Sequence, residues 1–430
     1  MIKKILFGSK DKMKSAYLWN TCAAMLNAFQ TVFILMLISR IDPVIDAGVF
    51  TIAFAIGNLM MAIGKYGIRQ FQVSDVEEKY SFKEYTAARI VTSIIMIAAS
   101  FGYVGVNLAS GLYNSSKSIV IILICLTKVI DVVEDVIHGM FQQYLRLDVA
   151  GKILSIRMCT YIFVYLVCYY FSKNLILTSA VALLVSFIQF VILNYTAIRG
   201  FEIKKKTFEI KNVKNIFVEC FPLFIASYLV IYIGNAPKYA IDKVMSSEAQ
   251  ACFTYIFMPV FVISLLSQFV YQPVISKMAL LWHEKKISQF NKLILRQIAL
   301  ILLLSVAAII GGYLLGIPVL SLIYGVDLTD YKKALVILLI GGGALAIVNF
   351  LQMIITVARK QKLLNIGYLL AFLLFVFGGK TITEKHGMIG ISVFYTAVVM
   401  ILGAVFIVLT IGIIKGYANS DGKTVAEKKQ

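Results

Sequence analysis

Residues 128–138 read KVIDVVEDVIH and lie in an apolar run, from about residue 118 to residue 144, that is long enough to cross a bilayer. The stretch contains five ionisable side chains: Lys128, Asp131, Glu134, Asp135 and His138. At about 100° per residue in an α-helix, these five fall within an arc of roughly 120°. An ionisable group in hydrocarbon costs about 3 kcal/mol or more, so this charged face must meet protein or water. The pattern is typical of a substrate or ion path, and it also fits a set of ion pairs that holds the helix in place.

The composition is that of an integral membrane protein. Of the 430 residues, 60% are hydrophobic and 15% are charged, and the mean hydropathy is +0.87. Repeated apolar runs of about 20 residues predict spanning helices, because a helix satisfies its own backbone hydrogen bonds inside a bilayer. We predict an all-α integral membrane protein with about twelve transmembrane helices. The predicted spans are roughly 15–39, 45–66, 86–107, 118–143, 151–171, 174–198, 214–235, 249–275, 289–315, 333–357, 361–379 and 388–414.

Basic residues are distributed unevenly over the predicted connections. With the N-terminus inside, roughly three quarters of the 41 lysines and arginines fall in cytoplasmic segments, as the positive-inside rule requires. Arg89 and Arg157 are counted there, near the cytoplasmic ends of spans three and five. This asymmetry accounts for the net charge of +19 without a nucleic-acid partner. We expect a multi-pass protein of the cytoplasmic membrane with both termini in the cytoplasm.

With the chain oriented in this way, the charged stripe runs from the middle of the membrane to its cytoplasmic side. At 1.5 Å per residue, Lys128 lies near the middle of the membrane and His138 within about 2 Å of the cytoplasmic end of its span. The shallow part, from Glu134 to His138, is favoured as a structural set of ion pairs, and Lys128 and Asp131 carry the functional hypothesis. The three crowded acids, Asp131, Glu134 and Asp135, are candidates for a coupling proton or sodium ion, because like charges this close repel once desolvated.

The polar segment 201–214 divides the chain into two sets of six spans. We expect an N-terminal six-helix bundle at 1–200, a cytoplasmic linker at 201–214, and a C-terminal six-helix bundle with a short cytoplasmic tail at 215–430. A shift of 203 positions aligns Ile38, Arg40, Phe50, Thr51 and Phe54 with Ile241, Lys243, Phe253, Thr254 and Phe257. Both stretches run from an odd-numbered span into the next, which favours a duplication. Two such bundles around a central cavity are a transporter architecture.

No enzyme motif is present in the sequence. A dinucleotide fingerprint, a P-loop, a zinc-protease helix and a nucleophile elbow are all missing. The three histidines are far apart, and the six cysteines form no CxxC pair. We therefore expect no enzymatic activity, no cofactor and no metal.

Three groups of polar residues are candidates for a substrate cavity. Asn27 and Gln30 share a face of span one, where they would line a cavity or form hydrogen bonds between helices. Lys65, Arg69 and Gln70 follow span two, where they would grip a phosphate or anchor the chain at the membrane surface. Arg157 is the favoured partner of the span-four carboxylates, because the loop between spans four and five is short.

Taken together, these features resemble the Wzx-type polysaccharide flippases of the multidrug/oligosaccharidyl-lipid/polysaccharide (MOP) exporter superfamily. The resemblance rests on the twelve spans and on three stretches, GIRQ at 67–70, NAPKYAIDKVMSSEAQACFTYIF at 235–257 and ITVARKQK at 355–362. By that likeness, Arg69, Gln70, Asn235 and Lys238 match positions that would contact substrate. The resemblance implies a MATE-like fold and translocation of undecaprenyl-diphosphate-linked oligosaccharide repeat units by alternating access. It further implies membrane lipids, glycosyltransferases and a polymerase as partners in cell-surface polysaccharide synthesis.

Two features depart from members of that family. The predicted spans do not include the two extra C-terminal spans of the lipid II flippases, which disfavours lipid II as the substrate. The stripe on span four is more acidic than a diphosphate site should be. The alternative function is ion-coupled antiport of drugs or other small molecules, by a MATE-like or major-facilitator carrier. A membrane polymerase or ligase is disfavoured, because the predicted outside loops are short.

Overall fold

The computed structural model describes residues 2–41, 45–75, 77–202 and 207–427, and all regular structure in them is helical. The first eight helices are α1 (Ile2–Phe7), α2 (Lys12–Ile41), α3 (Ile45–Lys65), α4 (Ile68–Ser74), α5 (Phe82–Ala109), α6 (Ser115–Gln143), α7 (Leu147–Ser172) and α8 (Leu175–Ile198). They are followed by α9 (Ile210–Val244), α10 (Ser247–Tyr271), α11 (Ile275–His283), α12 (Ile287–Gly311), α13 (Ile317–Tyr324), α14 (Lys332–Val357) and α15 (Leu364–Glu427).

Ten helical segments in the described part of the chain are long and apolar enough to cross a membrane. Helix α6 is outside that set because it contains five charged residues, although its 29 residues span roughly 43 Å. The last of the ten segments, Gln361–Gly416, holds two predicted spans, and Gly387 interrupts its helix with φ 57° and ψ −146°. Only glycine adopts this conformation readily, because it has no Cβ. Counting α6 and both parts of α15 gives twelve crossing segments, which confirms the predicted fold class.

The first compact unit, Met1–Ile231, is organised around α6. Helices α3, α4, α5, α7 and α8 all pack against α6, and α2 packs along α7. The C-terminal half of α6 enters an apolar core through Val136, Met140 and Phe141. The same core includes residues from α1, α4, α5, α7, α8 and the start of α9. Helix α6 is therefore enclosed by protein on most of its surface.

The second compact unit, Tyr232–Gln430, is organised around α14, which packs against α10, α12 and α15. The division between the units lies inside α9, while the predicted linker at 201–214 precedes it. Residues 203–206 of that linker lie outside the described residues. The boundaries 1–200, 201–214 and 215–430 stay predictions.

Helix boundaries support the predicted duplication. Helix α2 ends at Ile41 and α9 ends at Val244, two positions that differ by the same 203 residues as the sequence match. Helices α3 and α10 begin at Ile45 and Ser247, a difference of 202. Three of the aligned pairs are matched in burial as well: Ile38 with Ile241, Phe50 with Phe253 and Thr51 with Thr254. Equivalent residues thus occupy equivalent places in both units.

A capping box at the start of α5 ties two helices of the first unit together. The Ser81 amide donates to Glu84 Oε2 at 2.7 Å, and the Glu84 amide donates to Ser81 Oγ at 3.3 Å. Glu84 Oε1 accepts from Asn212 Nδ2 at 2.8 Å and from the Glu209 amide at 3.0 Å. One buried carboxylate therefore caps α5 and also anchors the beginning of α9.

We expect Glu84→Ala to lower the stability of the first unit by about 2 kcal/mol or more, because several donors lose their shared acceptor. The control is Ser246→Ala, which removes an exposed N-cap on α10 and should cost about 1 kcal/mol. Thermal unfolding of the purified full-length protein in detergent measures both variants. An equal loss in the two variants would contradict this role of Glu84.

Candidate functional site

A buried guanidinium joins α7 to the charged face of α6. Arg157 Nε donates to Glu134 Oε2 at 3.0 Å, and Arg157 Nη2 lies 2.5 Å from Asp131 Oδ1 and 2.8 Å from Glu134 Oε2. The Arg157 side chain is 1% exposed. Since a lone buried charge is very costly, this shared contact allows both carboxylates to lie inside the helix bundle. The predicted partnership between Arg157 and the α6 acids is present in the structure.

Glu134 has further partners on α8 and on its own helix. Asn194 Nδ2 of α8 donates to Glu134 Oε1 at 2.9 Å. His138 Nε2 lies 4.0 Å from the same oxygen and, within the described residues, has no hydrogen-bond partner. Glu134 thus holds α6, α7 and α8 together.

Asp135 is bound by two arginines that differ in depth. Arg89 Nη2 of α5 lies 2.8 Å from Asp135 Oδ2, and Arg89 Nη1 donates to the Gly64 carbonyl oxygen at 2.6 Å. Arg69 Nη1 of α4 lies 3.5 Å from Asp135 Oδ1. Arg89 is buried, whereas the Arg69 side chain is 29% exposed. The deeper arginine therefore neutralises Asp135, and the outer one contacts it weakly.

The GIRQ turn positions Arg69. Gly67 takes φ 71°, and a Cβ at this position would lie 2.7 Å from Leu223 Cβ, so the turn requires glycine. Ile68 is fully buried in the apolar core and fixes the start of α4. Arg69 Nη2 then donates to Gln142 Oε1 of α6 at 3.2 Å, while Gln70 is exposed. The turn thus directs Arg69 to α6 at the edge of the charged cluster.

Lys128 lies at the other end of the cluster. Its Nζ is 3.4 Å from Asp131 Oδ2 and 4.2 Å from the centre of the Phe54 ring on α3. The Lys128 side chain is 5% exposed, and that of Asp131 is 13% exposed. Asp131 therefore lies between two cations and has more contact with the surroundings than Glu134.

The cluster as a whole has an excess of cations. Its cationic members are Arg69, Arg89, Lys128 and Arg157, and its anionic members are Asp131, Glu134 and Asp135. The acidity of the α6 stripe, which departs from the family pattern in the sequence, is thus neutralised by arginines on α4, α5 and α7. The edge nearest α4 presents a guanidinium.

Sequence reasoning missed Arg89 and Asn194. The charge asymmetry counts Arg89 among the cytoplasmic basic residues, but in the structure it is a buried partner of Asp135. Its signal in the sequence is its place in an apolar helix beginning at Phe82. Asn194 is one of several polar residues in an apolar span, and nothing in the sequence distinguishes it.

Four other predicted site residues lie on α2 and α9. On α2, Gln30 Nε2 donates to Asn27 Oδ1 at 2.9 Å. Asn235 and Lys238 lie on α9 in the second unit, where Lys238 is buried with its Nζ 6.0 Å from the centre of the Phe257 ring. Of the predicted group after span two, Lys65 is half-buried at the end of α3. Among the described residues, no group of three or more histidine, cysteine, aspartate or glutamate side chains is arranged to hold a metal.

Two solved structures share the fold of this chain. An inward-facing multidrug resistance MATE family transporter of the MOP superfamily matches with a TM-score of 0.68 and 11% identity, over 94% of this chain and 99% of that one. The lipid II flippase MurJ, in an inward closed conformation, matches with a TM-score of 0.71 and 14% identity, over 93% and 90%. The chain therefore shares its fold with these two membrane proteins, one of them a transporter of the MOP superfamily and the other a lipid II flippase.

One protein of known name is similar to this chain in sequence. The chain is 23% identical over 323 residues to the capsular polysaccharide biosynthesis protein CapF of Staphylococcus aureus, covering 74% of this chain and 79% of CapF. No family model matches the chain. Together with the fold, this similarity confirms the resemblance to a flippase-type MOP protein that the sequence indicates.

We expect Arg157→Ala to destabilise the first unit by about 3–5 kcal/mol, because Glu134 would lose its guanidinium partner and Asp131 would keep only Lys128. The double variant Arg157→Met, Glu134→Gln should recover much of this loss, since it removes one charge of each sign and keeps the pair of Lys128 with Asp131. Thermal unfolding in detergent measures both. If Arg157→Ala unfolded at the wild-type temperature, the cluster would have no structural role.

Proposed function

We propose that the protein is a flippase that moves undecaprenyl-diphosphate-linked oligosaccharide repeat units across the cytoplasmic membrane by alternating access. The units would serve cell-surface polysaccharide synthesis, alongside glycosyltransferases and a polymerase of the same pathway. The observation that carries the proposal is the polar cluster around α6, which combines buried ion pairs with a partly exposed guanidinium at its edge. The names of CapF and of the lipid II flippase MurJ support the same substrate class.

A diphosphate and a hydrated sugar must pass an apolar layer of about 30 Å. A guanidinium is suited to this task, because it stays charged and binds phosphate through paired N–H donors. It is also more weakly hydrated than an ammonium group and so loses less on leaving water. Arg69 is the cation of the cluster that combines these properties with access to the surroundings.

The contacts of Arg69 suit a residue that exchanges partners. Its contact with Asp135 is long, at 3.5 Å, and its second contact is with the neutral amide of Gln142 at 3.2 Å. Asp135 keeps Arg89 at 2.8 Å if Arg69 moves away. A phosphate could therefore recruit Arg69 without leaving a buried carboxylate unpaired. Lys65 and Gln70 are the neighbours that would extend this contact.

We expect Arg69→Glu to abolish polymer export or lipid-linked oligosaccharide flipping while the protein still inserts, because the phosphate would meet a negative charge. Lys83→Glu is the matched control, as Lys83 is an exposed cation at the start of α5 and should be tolerated. Flipping of a fluorescent undecaprenyl-diphosphate oligosaccharide in proteoliposomes measures the activity, and immunoblots of membranes measure the protein. Wild-type flipping by Arg69→Glu would rule out the phosphate role.

Of the three acids on α6, Asp131 is the candidate for ion coupling. Glu134 binds Arg157 and Asn194, and Asp135 binds Arg89. Both acids therefore hold neighbouring helices against α6. Asp131 is shared by Lys128 and Arg157 and is more exposed than Glu134. A proton or sodium ion at Asp131 would weaken its hold on Lys128 and Arg157, and this change in pairing would couple the ion to transport.

We expect Asp131→Asn to transport at a rate that no longer responds to a proton or sodium gradient, because the amide cannot take up the ion. Glu384→Gln, at an exposed pair with Lys380, is the control and should keep the wild-type response. The measurement is flipping in proteoliposomes with and without an imposed gradient. An unchanged gradient response in Asp131→Asn would exclude this residue as the coupling site.

Antiport of a drug-like molecule is the second candidate, and the likeness to a MATE transporter favours it. The two functions differ in whether the substrate carries a diphosphate. Flipping of lipid-linked oligosaccharide supports the first function. Gradient-driven uptake of cationic drugs by the same vesicles, without flipping, would replace it with the second. The proposed orientation, with both termini in the cytoplasm, is common to both functions.

A further inference from the structure

A basic pocket lies in the second unit, beyond the end of α14. It has a volume of about 1120 Å³ and lies between the turn that joins α14 to α15, the end of α11 and the later part of α15. Its basic wall consists of Arg359, Lys360 and Lys362, all from the ITVARKQK motif and all exposed. The proposed transport mechanism makes no use of this motif.

The backbone at the end of α14 builds the basic wall. Arg359 takes φ 57°, and its amide donates to the Thr356 carbonyl oxygen at 2.9 Å. The Lys360 amide donates to the Ile355 carbonyl oxygen at 3.0 Å. These bonds stop the helix and start the turn, so consecutive basic residues lie just beyond a 26-residue apolar helix. Such a position corresponds to the membrane–water boundary.

The opposite wall is apolar. It is formed by Val408, Leu409 and Ile413 of α15, and Val408 is 68% exposed. Gly412 and Gly416 line the same wall, and a Cβ at either position would meet open space. The glycines therefore keep a groove open along α15 beside exposed aliphatic side chains. A hydrocarbon chain fits this surface better than water does.

The charged and aromatic residues of the pocket suit a ligand that is both anionic and amphiphilic. The residues that line the pocket include three cations and no carboxylate within the described part of the chain. Glu284, just beyond the pocket residue Trp282, pairs with Lys286 at 2.8 Å. Trp282 packs on Phe290 with 5.2 Å between ring centres, and tryptophan is typical of the lipid headgroup region. Cations that can bind a headgroup, a tryptophan typical of the membrane interface and an apolar groove thus occur in one pocket.

We propose that this pocket binds the phosphate headgroup of an anionic phospholipid, with the lipid's acyl chain along Val408 and Ile413. Arg359 binds the phosphate through paired donors, and Lys360 and Lys362 contribute positive charge. The apolar wall selects a lipid over a free phosphate compound, because only a lipid buries hydrocarbon there. The pocket is lined by residues of the second unit, and the proposal does not depend on the transported substrate.

The test compares binding of phosphatidylglycerol and phosphatidylcholine to purified full-length protein by native mass spectrometry. The variant R359Q/K360Q/K362Q should lose affinity for phosphatidylglycerol on the order of a hundredfold, at roughly fivefold per cation. The control K332Q/K333Q/K385Q removes as many exposed cations from the same unit, two of them at the opposite end of α14, and should bind as wild type. Equal binding by both triple variants would overturn the proposal.

A steric variant tests the apolar wall with every charge in place. Gly412→Trp fills the groove and should also lose phosphatidylglycerol, and it reports on the pocket even if removal of the three charges impairs folding. In a competition experiment, millimolar inorganic phosphate or glycerol phosphate is added to the protein with bound lipid. Neither compound should displace the lipid. Displacement by free phosphate, or wild-type lipid binding by Gly412→Trp, would show that the pocket does not select a lipid.

Discussion

The contact of Arg157 with Asp131 and Glu134 is the interaction on which the first unit depends. Helix α6 has three acids on one face and lies among five other helices, so the acids require buried positive charge. Arg157 supplies it from α7, and Arg89 supplies it from α5. Each pair costs desolvation, but removing one partner costs more than the pair contributes. The arrangement therefore specifies which helices surround α6 and in what register.

The opposite face of α6 meets different surroundings. Val129 and Val133 of α6 and Leu184 and Phe187 of α8 are among the residues that line a groove of about 450 Å³ whose lining is almost entirely apolar. Charged and apolar faces on one helix explain why α6 fails a simple hydropathy criterion and still belongs to the bundle. Its polar side is satisfied by neighbouring helices, and its apolar side suits hydrocarbon.

Fold similarity at 11–14% identity has a physical basis as well. Helix length, apolar faces and the positions of breaks set the packing of a membrane bundle, and many sequences satisfy these requirements. The site is more specific, because it needs particular charges at particular depths. The polar cluster of the first unit and the basic pocket of the second are two such arrangements of charge.

The sequence by itself determined the all-α membrane class, the approximate spans, the charged stripe on α6 and the partnership of Arg157 with its acids. These features follow from hydropathy and helical periodicity, which are local properties of the chain. Only the tertiary structure decided that Arg89 neutralises Asp135, that Asn194 completes the shell of Glu134, and that Arg69 is the exposed cation of the cluster. These contacts join residues on different helices, and helix packing, which periodicity does not specify, brings them together. For the same reason, the polarity of Asn27 and Gln30 on α2, or of Asn235 and Lys238 on α9, does not by itself show which residues they contact.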